Sequence, residues 1–250
     1  VWDSTNTGST GPYTNVTNGV HATVAGTTYS GLHVTGVISS GDGPRTVEVS
    51  ANNVTFRNCL FDGDMWYYPF WIDSGITGTR FIDCTVNGIN GNQTEGLRIQ
   101  DGLMLRCNIS HFENPIWMTG CFNAEVANNY VHDINSDPPR HSDGVEMNSG
   151  GNVTYHYNCI DVLANTSQLE INNYNGPIND VIVDANILTG TSAYSVYFDN
   201  EQQAPPANPI TNCQLTRNRI SGWTFGPWAT YSSDVFISGN VNHLTGAPLP

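Results

Sequence analysis

One short pattern returns along almost the whole chain, and few folds can accommodate it. It appears as "FRNCLFDG" (56–63), "FIDCTVNG" (81–88), "VANNYVHD" (126–133), "YHYNCIDV" (155–162), "VDANILTG" (183–190) and "LTRNRISG" (215–222). "LRCNISHF" (105–112) and "ISGNVNHL" (237–244) follow it with one residue fewer. The repeated Asn or Cys falls at Cys59, Cys84, Asn108, Asn129, Asn158, Asn186, Asn218 and Asn240, at spacings of 21 to 32 residues. A fixed period of this length marks a stack of like units.

A second motif recurs inside the same period: "PFWIDSG", "GLRIQDG", "PIWMTG", "GVEMNSG", "QLEINN" and "SVYFDN". Each alternates apolar and polar residues, as a half-buried strand does, and ends in the Gly, Asn or Asp that turns require. With no long helical periodicity, the expected fold is all-β: a parallel β-helix solenoid of roughly eight to ten coils in one domain. It spans residues 1–250, with an N-terminal cap region over 1–30 and a C-terminal coil and tail over 223–250. A buried Asn at one position per coil can bond to the backbone of the next coil and so build a ladder. A β-sandwich has no reason to repeat it.

Composition narrows the partners. Only 12% of residues are charged, and all eight basic residues are Arg. The formal net charge of −14 argues against nucleic acid and anionic membrane surfaces. It also disfavours a polyanionic glycan unless a cation bridges the two. No apolar run reaches transmembrane length. With no initiating Met or signal-peptide pattern, the chain reads as a processed or trimmed product. The six Cys can form three disulfides, which suits an extracellular setting, or can be small buried fillers. Asn-x-Ser/Thr tripeptides at Asn15, Asn53, Asn92, Asn108, Asn152 and Asn165 fit a glycosylation sequon. A polar turn followed by a strand produces the same pattern.

The runs "TVAGTTYSGLHVTGVIS", "VSANNVTFRNCLF" and "HSDGVEMNSGGNVTYHYN" resemble right-handed parallel β-helix proteins of the pectate-lyase-like superfamily. The resemblance is greatest to a branch with a His-x-Asp-Gly-(hydrophobic)-(Gln/Glu) motif, found in actinobacterial secreted proteins and phage tail proteins. It covers nearly the whole chain and implies the right-handed fold and a secreted or virion-surface location. It is weak for activity, because the superfamily includes lyases, hydrolases, epimerases and receptor-binding proteins. The branch often has Gln where this chain has Glu146, which adds a carboxylate.

Aligning the second motif by its inward apolar residues places one column outward: Trp71, Arg98, Trp117, Glu146, Glu170 and Tyr197. The next column is Asp73, Gln100, Thr119, Asn148, Asn172 and Asp199. Aromatics beside carboxylates and amides suit sugar rings, with Trp71, Trp117 and Tyr197 stacking on C–H faces and Gln100, Asn148, Asn172 and Asp73 binding hydroxyls. Trp66, Tyr67, Tyr68, Trp223 and Trp228 lie in nearby segments. The alternative is Trp residues packed under loops and solvated acids.

Neighbouring strands put the carboxyls of Glu146 and Glu170 about 5 Å apart, the separation of retaining glycosidases, and those of Glu170 and Asp199 about 8 Å apart, within the inverting range. The same groups can instead hold Ca²⁺, with Asp143, Glu146 and Glu170 as ligands. Asp143-Gly144 reads equally as a turn. His141 is a candidate acid/base beside Glu146, though a lone His near a turn is more often incidental. Arg140 can reach an anionic group.

A lyase in families resembling this fold uses Arg or Lys as base, often with Ca²⁺, and Arg98 is the only basic residue in these columns. A hydrolase needs two carboxylates and no cofactor. The acidic chain favours neutral glycans and so hydrolysis. The expectation is a carbohydrate-active protein, hydrolase ahead of Ca²⁺-dependent lyase. The alternative is a non-catalytic glycan-binding tail or cell-surface module, a monomer or, as a tail protein, a homotrimer.

Overall fold

A single buried position per turn sets the stacking of the coils. In the computed structural model, which describes residues 1–40, 43–63, 68–88, 95–136, 141–199 and 208–250, the side-chain amide of Asn129 donates to Asn158 Oδ1 (2.9 Å). Asn158 donates to Asn186 (2.9 Å), Asn186 to Asn218 (3.0 Å) and Asn218 to Asn240 (3.0 Å). Each of these Asn oxygens also accepts a backbone N–H of the preceding coil, as Asn158 Oδ1 does from Asn129 N at 3.0 Å. Each Asn donates to a carbonyl as well, as Asn158 does to Val126 O at 2.8 Å. Buried amides satisfied in this way specify register, because any slip would orphan several polar groups at once.

The column continues toward the N-terminus as Cys107, Cys84 and Cys59, which corrects one expected position. Cys107, not Asn108, occupies the ladder, and its N–H donates to Asn129 Oδ1 at 2.8 Å. Backbone conformation explains the register. The residue before each ladder position is left-handed: Asn58, Asp83, Arg106, Asn128, Tyr157, Ala185, Arg217 and Gly239 all have φ between 52 and 68°. Asn108 instead aligns with Thr85 and Tyr130 in a strand. All six cysteines are free and buried, so the structure uses them as fillers and not as disulfides.

Among the described residues the chain is all strand and turn, with no helix long and apolar enough to cross a membrane. Three parallel sheets form the faces of the solenoid. In one representative coil, Asp143–Met147 lies in the first face, Gly150–His156 in the second and Cys159–Leu163 in the third; Ser167–Asn172 then returns to the first. The third face stacks ten strands from Thr14–Val16 to Val241–Asn242. Val86, Ile109, Val131, Val145, Leu169, Val183 and Val196 lie in one continuous core, all 1% exposed or less. Trp66, Tyr67, Arg140 and the Asn92 sequon lie outside the described residues.

Candidate carboxylate site on the first face

The first face holds the expected outward row in register. Arg98 pairs with Trp117, Trp117 with Glu146, Glu146 with Glu170, and Glu170 with Tyr197. Asn172 pairs with Asp199 in the next row, on the strand positions two residues after Glu170 and Tyr197. Trp71 belongs to a separate short sheet paired with Val47–Val49, but it reaches the row: the Arg98 guanidinium carbon lies 4.4 Å from its ring centre and 5.0 Å from that of Trp117. Arg45 covers the Trp71 ring as well, at 4.6 Å. Arg98 is thus held between two indoles and is 7% exposed; burial lowers its pKa.

The face is more enclosed than an outward strand row suggests. Glu170 is 2% exposed, and Asn148 and Asn172 are also buried. Trp71, Trp117, Glu146, Tyr197, Asp73, Gln100, Thr119 and Asp199 are half-buried. His141 is exposed.

A second row joins the first, and alternation along a strand does not anticipate it. Glu95 pairs with Asn114, and Asp143 pairs with Ser167. These residues precede the first row by three, an odd step that should send them to the opposite face. They reach the same cleft because Gly144 and Val145 both turn coreward. A Cβ on Gly144 would sit 2.6 Å from Ile160 Cγ2 and 2.5 Å from the Gln168 carbonyl, and Val145 is 1% exposed. This corrects the reading of Asp143-Gly144 as a turn. Both lie within the Asp143–Met147 strand, where the glycine admits the close approach of the next coil. Glu95 and Asn114 were missed for the same reason. Their signal was a polar residue three before each outward position, in "EGLR", "NPIW", "DGVE" and "SQLE".

Together the rows form a connected site. Asn114 donates to Glu146 Oε2 at 2.5 Å and accepts from the Asp143 N–H at 2.9 Å. Asp143 Oδ1 accepts from Ser167 N (2.8 Å) and Ser167 Oγ (2.5 Å). Glu170 Oε1 accepts from Asn172 at 3.0 Å. The other oxygens of these two acids, Asp143 Oδ2 and Glu170 Oε2, are buried without a hydrogen bond, as is Glu95 Oε2. His141 Nδ1 faces the first two, at 3.3 and 4.0 Å.

Crowded, desolvated carboxyls hold their protons. Burial, then the charge of Asp143, pushes Glu146 up to about 7. Burial, then the charge of Glu146, pushes Glu95 up to about 8. Glu170 moves up for the same reasons, burial first and Asp143 second. His141 moves up through its contact with Asp143. Of the metal ligands expected from the sequence, Asp143 and Glu170 fall into one group with His141, each offering a ligand atom within 4.8 Å of the others; Glu146 is outside that group.

The profile of the right-handed β-helix region matches residues 70–242. The chain belongs to the right-handed β-helix family. Solved structures share this β-helix at low identity. The A-module of the mannuronan C-5 epimerase AlgE6 of Azotobacter vinelandii is 14% identical, over 89% of this chain and 58% of that one, with a TM-score of 0.54. The Dettilon tailspike protein (gp208) is 11% identical, over 91% of this chain and 52% of that one, with a TM-score of 0.56. The β-helix thus spans little more than half the length of either. No curated protein matches it.

Proposed function

We propose that this β-helix cleaves a polysaccharide by glycoside hydrolysis, with Glu146 as the carboxylate that meets the sugar. The observation that carries the reading is the cross-strand pair Glu146 and Glu170, flanked by Trp117 on one side and Tyr197 on the other. A hydrolase needs one ionised and one protonated carboxyl. Glu146 titrates close to neutrality, and two neighbours with raised pKa values, Glu170 and Glu95, are available as proton donors. Asp199 lies across from Asn172, one strand beyond, as a further carboxylate of the groove.

The half-buried rings of Trp71 and Trp117 on one side, and Tyr197 with its hydroxyl 3.3 Å from that of Tyr231 on the other, offer stacking surfaces for a chain running past the acids. A mannuronan epimerase and a tailspike share the fold, which is consistent with a glycan partner and a secreted or virion-surface setting. The lyase reading has less support, because its base would be Arg98, whose guanidinium is occupied by two indoles.

The test is a polysaccharide panel read by reducing-end formation and by the ultraviolet absorbance of an unsaturated uronate. Hydrolysis gives reducing ends without the absorbance. Glu146→Gln should then abolish turnover and leave glycan retention intact. Both signals together would move the assignment to a lyase. Retention without either signal would make the protein a glycan-binding module.

A further inference from the structure

We propose that His141 Nδ1, Asp143 Oδ2 and Glu170 Oε2 form a three-ligand site for a divalent cation of the zinc class. Three observations point there. The donor atoms lie within 4.8 Å of one another, with His141 Nδ1 3.3 Å from Asp143 Oδ2 and 4.0 Å from Glu170 Oε2. Asp143 and Glu170 are 0% and 2% exposed, yet each leaves one oxygen without a hydrogen bond, both aimed at the same imidazole nitrogen. Their other oxygens are held by the protein: Asp143 Oδ1 by Ser167, and Glu170 Oε1 by Asn172. An acid with one oxygen anchored and the other bare, twice over, is the arrangement that outer partners give to metal-bound carboxylates.

The donor set chooses the ion. Bonds of about 2.0–2.1 Å in a tetrahedral site place ligands about 3.3 Å apart, close to the His141–Asp143 separation. The exposed His141 side chain is free to close the remaining span to Glu170. One imidazole and two carboxylate oxygens suit zinc and its first-row neighbours. Calcium requires six to eight oxygens, and the anchored carboxylate oxygens are already engaged. Three protein ligands leave a coordination position open toward the solvent side, where His141 lies. Because the cation would occupy Glu170 Oε2, loaded protein would rely on Glu95 as the acid that protonates the leaving glycosidic oxygen, with Glu146 ionised, a consequence that rests on the hydrolytic reading; the site itself does not.

The test is isothermal titration calorimetry on the untagged full chain, cleared of metal by chelator dialysis, with ZnCl₂ and CaCl₂ as titrants. Wild type should show one zinc site absent from His141→Ala, or weakened there by more than about tenfold, the loss that even an outer partner produces. Glu146→Gln, which removes no ligand, should keep that site. Glu170→Gln serves as a second ligand variant. Matching zinc isotherms for wild type and His141→Ala, no zinc heat in wild type, or calcium binding tighter than zinc would each overturn the proposal. Loss of turnover in Glu146→Gln with unchanged zinc binding in His141→Ala would sink the cation site and leave the hydrolytic reading standing.

Discussion

Replacing Asn158 by Ala should be among the most damaging single changes in the molecule. Its side chain donates to Val126 O (2.8 Å) and Asn186 Oδ1 (2.9 Å), and its oxygen accepts from the N–H (3.0 Å) and the side-chain amide (2.9 Å) of Asn129. Asn158 is 3% exposed and Asn129 is fully buried, so water cannot replace the lost partners. Alanine leaves two Asn129 donors unsatisfied, each costing roughly 1–3 kcal/mol, for a total of about 3–5 kcal/mol with the small cavity included. Asn158 sits between Gly150–His156 and Cys159–Leu163, within the coil that runs from the strand bearing Glu146 to the strand bearing Glu170, so the variant should loosen the carboxylate pair and reduce activity beyond its effect on folding. Urea unfolding followed by circular dichroism measures the loss. Thr191→Ala, exposed in a neighbouring coil, should stay within about 0.5 kcal/mol of wild type. An Asn158→Ala protein within about 1 kcal/mol of wild type would refute the view that the ladder holds the coils in register.

Other expectations follow from single contacts. Glu95 has its pKa raised from 4.5 to about 8, so the folded state holds a proton that the unfolded chain releases; stability should be greatest below the lower value and fall as pH rises toward the upper one. Allowing for partial exposure, the total loss over that interval is on the order of 3 kcal/mol, and Glu95→Gln should remove it; parallel pH–stability curves for the two proteins would count against the assignment. Gly144→Ala drives a Cβ to 2.5 Å from the Gln168 carbonyl and should destabilise by about 2 kcal/mol or more, read as a lowered melting temperature. Trp117→Ala removes one of the two rings on the Arg98 guanidinium and should cost about 1–2 kcal/mol while weakening glycan retention on an affinity gel. The thiols should resist a chromogenic disulfide reagent at neutral pH and react only on unfolding, because all six are buried and burial raises the pKa of Cys159 and Cys213 to about 11.

The solenoid was legible because its causes are local and repeated. Asn129, Asn158, Asn186, Asn218 and Asn240 each recur with an apolar residue three positions before and another one or two positions after, and only a stacked coil gives each of them the same work. The outward row from Arg98 to Tyr197 was legible because side chains alternate faces along a strand. The one misplaced ladder position, Asn108 for Cys107, arose because Asn and Cys are adjacent there, and only the left-handed Arg106 before Cys107 selects between them.

What the chain determined by itself is therefore its period, its faces and the identity of the groups it sends outward. The tertiary structure decided which of them meet. Glu95, Asn114 and Asp143 enter the cleft through a bend at Gly144 and its counterparts, where alternation fails. Glu170 is enclosed even though its strand position points outward. Arg98 lies between two tryptophans from different coils. His141 stands over two bare carboxylate oxygens, one from the strand that follows it and one from the next coil. Strand alternation is a property of one chain segment and can be read from it. Desolvation, charge crowding and donor geometry belong to groups brought together from several coils, so they exist only once the coils are stacked.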